Sequence, residues 1–178
     1  MPYRVKVYCP QTVHNKIKLL HLITGLGCGG AEKMVYQLCK YADRDRFEIS
    51  VISIDETDYF LPQLESLQVN VNMLELQKTP ISMINGIFKL NKLLRQNQIQ
   101  VIHAHLFHGM VMACMVKILN PKLKIIWTSH SSQMISISRG LVSYVSRFLR
   151  NCDIILQEHL KLWYNASISS VILNGVEI

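Results

Sequence analysis

Histidines that follow predicted strands are the residues with the clearest chemical potential. His103 and His105 lie two apart, the spacing at which the side chains of one strand point to the same side. His130 follows a later strand and is flanked by small hydroxyl residues, among them Ser131, so a neutral imidazole there suits hydrogen bonding to a polyol. We predict that His130 and Ser131 contact a polar substrate, with a polar loop that binds nothing as the alternative, and His105 is a further candidate for such a contact.

The pair His103 and His105 also admits two other interpretations. Two imidazoles on one side of a strand can begin a metal site, but no carboxylate lies nearby in sequence to complete the ligand shell or orient the rings. A buried, hydrogen-bonded pair is the structural alternative. We therefore expect no bound metal, and the sequence leaves open whether the pair is structural or contacts a substrate.

The glycine-rich loop at residues 25–30 fits the pattern G-x-G-x-x-G between a predicted strand and a predicted helix. Together with Asp55 at the end of the next strand, it is compatible with a dinucleotide-binding turn. More generally, glycines allow close approach to a ligand, and the N–H groups of a helix N-terminus favour a phosphate or a sugar hydroxyl. Gly29 and Gly30 are therefore candidate binding residues, with a tight turn that binds nothing as the alternative.

The elements that position these residues alternate between strand and helix. Apolar runs predict strands at 19–23, 47–54, 69–76, 101–104, 123–128, 153–156 and 171–173. Helical spacing predicts helices at 31–41, 62–67, 80–96, 109–119 and 139–149. This alternation predicts an α/β fold: a doubly wound, mostly parallel, Rossmann-like sheet with helices on both faces. We expect residues 1–16 to be an extension and residues 17–178 to form one domain.

Composition excludes several classes of protein. With 49% apolar and 17% charged residues, the 178-residue chain is too apolar for intrinsic disorder. Its five cysteines are scattered without a CxxC pair, which argues against a disulfide framework or a zinc module and indicates a reducing, cytoplasmic location. No uncharged apolar stretch approaches the roughly 18 residues that a membrane span requires.

The net charge of +7 is unevenly distributed. Residues 77–151 contain ten Lys and Arg and no Asp or Glu, and we call them the acid-free block. The block favours an anionic partner, with an ordinary solvated basic face as the alternative. It lacks interleaved aromatic residues and any nucleic-acid-binding motif, so we expect no nucleic acid partner.

Four short segments, in this order, resemble the N-terminal half of the retaining glycosyltransferases of family 4, which have the two-domain GT-B fold. They are Gly-Gly-Ala-Glu at 29–32, Val-Ile-His-Ala-His at 101–105, Thr-Ser-His at 128–130 and Val-Ile-Leu-Asn-Gly-Val at 171–176. The resemblance covers about residues 17–178. It favours a glycosyltransferase over the dinucleotide interpretation.

The resemblance implies specific roles. Gly29 and Gly30 would set backbone amides against the donor diphosphate and the transferring sugar, and His130 would hydrogen-bond that sugar and stabilise an oxocarbenium-like transition state. The donor would be a nucleotide-sugar, the acceptor a glycan or a lipid-linked molecule, and the chemistry would need neither metal nor another cofactor.

The resemblance also implies that the chain works with a donor-binding domain or a partner chain. The C-terminal donor-binding domain of the family is expected to be absent, so the chain alone should be inactive and should work with that domain or with a partner chain. A non-catalytic partner subunit of the same fold and, less favoured, an NAD-type dinucleotide-binding domain are the alternatives.

A membrane surface is the anionic partner that best fits the acid-free block. Its basic residues include two helical groups, Lys89, Lys92 and Arg95 on one helix, and Arg139, Arg147 and Arg150 on or beside another. Basic amphipathic helices bind anionic lipids, and family members with lipid-linked acceptors work at the cytoplasmic membrane face. We therefore predict peripheral, salt-sensitive membrane binding.

Overall fold

The computed structural model describes residues 16–77, 79–130, 136–155 and the backbone of residues 169–171. Its strands are β1 (Ile17–Ile23), β2 (Phe47–Ser53), β3 (Asn70–Met73), β4 (Val101–His105), β5 (Lys124–Ser129), β6 (Cys152–Ile155) and β7 (Ser169–Val171). Its helices are α1 (Gly30–Tyr41), α2 (Leu61–Ser66), α3 (Pro80–Gln96), α4 (Leu106–Leu119) and α5 (Ile137–Ser146), and a 3-10 turn (Arg147–Leu149) follows α5.

All seven strands form one sheet in the order β3-β2-β1-β4-β5-β6-β7, and each neighbouring pair is parallel. The predicted α/β, Rossmann-like class is therefore confirmed. The order reverses between β1 and β4, which are neighbours in the sheet. In sheets of this kind ligands bind outside the carboxyl ends of the strands at such a reversal. The loop after β1 and the end of β4 meet at this point.

Two hydrophobic cores lie on opposite faces of the sheet, because successive strand residues point to opposite sides. On one face, Leu20 and Leu22 of β1 pack with Leu90 of α3 and Met110 of α4. On the other face, Ile23 of β1 packs with buried residues of β2, α1 and α2. Both faces of the sheet therefore carry helices, as a doubly wound fold requires.

Side-chain caps stabilise the first turns of two helices of the acid-free block, α3 and α5. The Thr79 hydroxyl accepts a hydrogen bond from the Ser82 amide at the start of α3, and the Ser136 hydroxyl accepts one from the Arg139 amide at the start of α5. These bonds satisfy amide groups that the first turn of a helix leaves without a partner.

Arg150 does not face solvent, contrary to the prediction that it belongs to a membrane-binding basic surface. It is 4% exposed, and its Nε and Nη2 donate to the two carboxylate oxygens of Asp153 at 2.6 and 3.0 Å. Its Nη1 donates to the carbonyl oxygen of Ser143 and to the hydroxyl of Ser146, both at the end of α5. Arg150 therefore anchors α5 to β6. A charge that is buried and paired in this way does not contact lipid.

Candidate functional site

Four histidine rings come together at the end of β1, β4 and β5. Nδ1 of His21 lies 3.0 Å from Nε2 of His105, and Nδ1 of His105 lies 3.0 Å from Nε2 of His130. His103 packs against this row, with its ring centroid 4.2 Å from that of His105. We call His21, His105 and His130 the histidine chain. It runs from the interior of the sheet to its carboxyl edge.

Parallel register brings these residues together. His21 of β1 pairs with His103 of β4, and His105 pairs with Thr128 of β5. Paired residues of neighbouring strands share one face of the sheet, and residues two apart on a strand do the same. Thr128 adds a polar contact to the cluster, because its hydroxyl lies 2.7 Å from Nε2 of His103.

Burial differs along the histidine chain. His21 is 2% exposed and His105 is fully buried, whereas His130 is half-buried. His105 therefore does not offer its ring to a ligand directly, since both of its nitrogens lie against other histidines. Its influence on a substrate has to pass through His130. Ser131, the remaining predicted contact, lies outside the described residues.

Burial keeps the whole cluster uncharged near neutral pH. It lowers the pKa of His21 to about 4, an effect to which the positive charge of Arg44 adds. It lowers the pKa of His130 to about 4 as well. For His103 and His105 burial holds the pKa well below 6.5, and the neighbouring histidines depress it further. Each ring is thus a neutral imidazole with one N–H donor and one acceptor nitrogen.

The buried rings also have the composition of a three-histidine metal site. One nitrogen of each of His21, His103 and His105 lies within 4.8 Å of the others. However, two of the nitrogens are already within hydrogen-bonding distance of each other, and Nε2 of His103 contacts Thr128. The described residues bring no carboxylate into the group to complete or orient such a site.

The glycine loop forms the second part of the site, at the N-terminus of α1. Gly29 is the N-cap residue and no side chain caps the helix. The Gly29 amide donates to the Gly27 carbonyl at 3.0 Å, so the first-turn amides that a ligand could use begin at Gly30. A Cβ atom at Gly29 would collide with the Glu32 carboxylate, whereas one at Gly30 would meet nothing within 4 Å. The space over Gly30 is therefore open to a ligand.

Asp55 has a structural role in this loop. Its Oδ1 accepts hydrogen bonds from the amide and the hydroxyl of Thr57, and the carbonyl and hydroxyl of Thr57 in turn accept bonds from the Leu26 amide. A side chain at Gly25 would collide with Asp55 and Thr57. Asp55 therefore stabilises the loop through Thr57. The dinucleotide interpretation used Asp55 as a ligand-binding residue, and this structural role weakens it.

A strained backbone residue joins β4 to α4 beside the histidines. Leu106 has φ 61°, in the left-handed region that a branched residue rarely adopts. The indole N–H of Trp127 donates to the Leu106 carbonyl at 3.2 Å and helps hold this turn. Strain of this kind concentrates at functional sites, where the surrounding structure enforces it.

The family comparison covers most of the chain. The sequence model of Glycosyltransferase Family 4 matches residues 28–178.

A comparison with curated proteins gives no match. Among the described residues, no helix is long and apolar enough to cross a membrane.

Several solved structures share the fold. A glycosyltransferase from Rickettsia africae aligns over 92% of this chain and 44% of its own, with a TM-score of 0.73 and 14% identity. HepE from Anabaena, in complex with UDP and glucose, aligns over 90% and 45%, with a TM-score of 0.71 and 17% identity. The lipopolysaccharide outer core galactosyltransferase WaaB aligns over 91% and 47%, with a TM-score of 0.73 and 11% identity. The chain thus spans less than half the length of these proteins.

Proposed function

Because the chain belongs to glycosyltransferase family 4, we propose that it is the acceptor-binding half of a retaining glycosyltransferase. The donor is a nucleotide-sugar, and the acceptor is a glycan or a lipid-linked molecule. The observation that carries the proposal is the half-buried ring of His130, which ends the histidine chain just after β5, one strand away from the reversal between β1 and β4. A ligand at the carboxyl edge of the sheet reaches this ring before the buried rings of His105 and His21.

His130 hydrogen-bonds the transferring sugar in this proposal. Its Nε2 lies against His105, so Nδ1 is the nitrogen that faces a sugar hydroxyl. A neutral imidazole fits this role, since it binds a hydroxyl without adding positive charge next to an oxocarbenium-like transition state. Ser131, the next residue, supplies a further hydroxyl.

The N-terminus of α1 receives the donor diphosphate in this proposal. The first-turn amides from Gly30 onward and the positive end of the helix dipole attract a phosphate, whereas the Gly29 amide donates to the Gly27 carbonyl. The Glu32 carboxylate lies close to Gly29 and repels an anion, so it has to turn away when the donor binds. Glycines at both positions keep the backbone accessible.

The second half of the donor site comes from outside this chain, either from a C-terminal domain or from a partner chain. The chain's coverage of less than half of each structural neighbour supports this division. We expect the 178-residue chain alone to transfer no sugar, and the chain together with a family donor-binding half to do so with retention of anomeric configuration. Transfer by the chain alone at rates typical of enzymes would refute the division.

A non-catalytic partner subunit is the alternative within the same fold. Under that hypothesis the reconstituted protein also transfers sugar, but substitution of His130 leaves the rate unchanged. An NAD-type domain would instead bind NAD(H) in a titration in which UDP-sugars and GDP-mannose do not bind. We expect the opposite preference in the reconstituted transferase.

The proposed chemistry needs no metal. The histidines contact one another and Thr128 through nitrogens that a metal would require, which supports a purely hydrogen-bonding role. Treatment with EDTA should leave both folding and transfer unchanged. If EDTA abolishes folding or transfer and zinc or manganese restores it, the protein needs a metal. His21, His103 and His105 would then be its ligands.

We further propose that the protein is cytoplasmic and binds the anionic inner face of the membrane through α5. The apolar residues of this surface recur along one side of the helix and its 3-10 extension, and they are Ile137 (85% exposed), Leu141 (61%), Val145 (65%) and Phe148 (77%). Arg147 stacks on the rings of Tyr144 and Phe148 at 3.9 and 4.8 Å. Exposed apolar residues beside arginines suit an interface with lipid.

A second stripe on α3 supports the same partner. Ile81, Ile84 and Phe88 are exposed on this helix, and Lys92 and Arg95 are exposed as well. Phosphatidylglycerol vesicles should co-sediment with the chain at low salt and release it as salt rises, while phosphatidylcholine vesicles should bind it weakly. Equal binding to both vesicle types at low salt would leave the acid-free block as solubilising charge.

A further inference from the structure

We infer that His21, His105 and His130 share one tautomer, and that the tautomer of His21 is thereby coupled to whether His130 donates or accepts a hydrogen bond toward a ligand. The effect on a ligand bound to His130 rests on the proposed function. The shared tautomer itself rests only on the geometry of the histidine chain. His21 is then a positioning residue that no substrate touches.

The order of nitrogen contacts in the histidine chain requires all three rings to have the same tautomer. Each of the two contacts joins an Nδ1 to an Nε2 at 3.0 Å: His21 Nδ1 to His105 Nε2, and His105 Nδ1 to His130 Nε2. In a neutral ring one nitrogen carries the proton and the other accepts. Each contact needs one donor and one acceptor, so a proton on Nδ1 of one ring requires a bare Nε2 on the next.

Only two neutral arrangements satisfy both contacts. In the first, all three rings carry the proton on Nδ1, and the bonds run from His21 toward His130. In the second, all three carry it on Nε2, and the bonds run from His130 toward His21. A mixed arrangement opposes either two lone pairs or two protons at 3.0 Å, at one contact that is buried and one that is partly buried.

The two arrangements give His130 opposite roles. With the proton on Nδ1, that nitrogen donates to a ligand oxygen; with the proton on Nε2, Nδ1 accepts from a ligand hydroxyl. His21 is 2% exposed and lies at the buried end of the histidine chain, so a change in its ring reaches His130 only through His105. The neutral state of all three rings follows from burial.

Side-chain geometry provides a matched pair of substitutions. The amide of asparagine occupies the place of an imidazole Nδ1, which is the atom that His21 uses. His21→Asn therefore keeps a hydrogen-bonding group next to His105 in the histidine chain, whereas His21→Leu removes that group. His103→Gln is the control, because His103 is buried in the same cluster but hydrogen-bonds Thr128 through Nε2 instead.

The test is a two-bond ¹H–¹⁵N correlation spectrum of the histidine rings in the full chain near neutral pH, assigned by single substitutions. We expect the same nitrogen to be protonated in all three rings. In His21→Leu, His105 and His130 should populate both tautomers, while His21→Asn and His103→Gln should keep a single one.

Several results overturn the inference. They are an opposite tautomer in one ring of the unsubstituted chain, a charged ring among the three, equimolar metal bound to the cluster, or an unchanged His130 spectrum in a folded His21→Leu variant. Because the spectrum requires no sugar, its outcome is separate from the transfer assay. A shared tautomer in the chain, together with no sugar transfer by the chain reconstituted with a donor-binding half, would support the inference and reject the proposed function.

Discussion

The histidine chain buries polar side chains, whereas the outer surface of α5 exposes apolar ones, and soluble proteins usually do the opposite of both. The chain buries polar rings, with His105 completely inaccessible, whereas α5 exposes large apolar side chains such as Ile137 and Phe148. Isolated exposed apolar residues are ordinary, but buried polar clusters and continuous apolar patches indicate a specific role. The histidine chain is therefore suited to directional hydrogen bonding, and the α5 surface to a non-directional contact.

The two regions are also held in place differently. Register between β1, β4 and β5 fixes the histidines, so several backbone hydrogen bonds would have to break before they move. The end of α5 depends largely on Arg150, whose guanidinium joins Ser143 and Ser146 to Asp153. We therefore expect single substitutions to disturb α5 more easily than the sheet.

Asp153→Ala should cause the largest loss of stability. Arg150 would remain buried without its partner, and removing one member of a buried pair typically costs about 3–5 kcal/mol. Urea denaturation measures this change in unfolding free energy. The control is Glu48→Ala, which breaks the exposed Lys18–Glu48 pair and should cost no more than about 1 kcal/mol. Equal effects of the two substitutions would contradict the anchoring role.

Acidification should destabilise the histidine chain. The pKa of His21 is about 4 in the folded protein against 6.5 for an unperturbed imidazole, so between these pH values the unfolded state binds more protons. The unfolding free energy should therefore fall as pH drops from 6.5, by about 3 kcal/mol from this residue at pH 4. Urea titrations at several pH values measure it. His21→Asn should show a shallower pH dependence, and an identical slope in both proteins would contradict this origin.

His105→Ala should reduce transfer moderately, because it removes the partner that orients His130 while leaving the ligand-facing ring in place. We expect kcat of the reconstituted transferase to fall by roughly tenfold, since the loss acts through positioning. Steady-state kinetics measure it. A loss larger than that of His130→Ala would indicate that His105 itself contacts the substrate.

Phe148→Ser should have the smallest effect on folding and a selective effect on membrane binding. The side chain is 77% exposed, so the unfolding free energy should change by less than about 0.5 kcal/mol. Partition onto phosphatidylglycerol vesicles should fall severalfold. Tyr59→Ser, at an exposed aromatic residue outside α5, is the control and should leave partition unchanged. Equal partition of both variants would remove α5 from the interface.

The fold could be predicted closely from the sequence, because hydrophobic periodicity is a local property. Each predicted strand overlaps an observed one, although β3 (Asn70–Met73) is shorter than the predicted 69–76. α4 begins at Leu106 rather than at 109, because a left-handed residue and a hydrogen bond from Trp127 form the turn. Such a contact joins residues 21 positions apart, and periodicity does not reveal it.

The site could be predicted only in part. His105 and His130 stand out because they follow strands, but His21 lies inside an apolar strand and is indistinguishable there from a core residue. Its role depends on register with His103, a long-range property. Charge alone predicts that Arg150 lies on the surface, whereas the structure buries it in an ion pair with Asp153, three residues away.

The most direct test of the central claim is the kcat of the reconstituted transferase with His130→Ala. We predict a decrease of roughly 10²-fold or more with an unchanged fold, as expected when a hydrogen bond that stabilises the transition state is lost. Lys124→Ala, an exposed position at the opposite end of β5, is the control and should retain the full rate. An unchanged kcat in a folded His130→Ala protein would contradict the assignment of the sugar site to the end of the histidine chain.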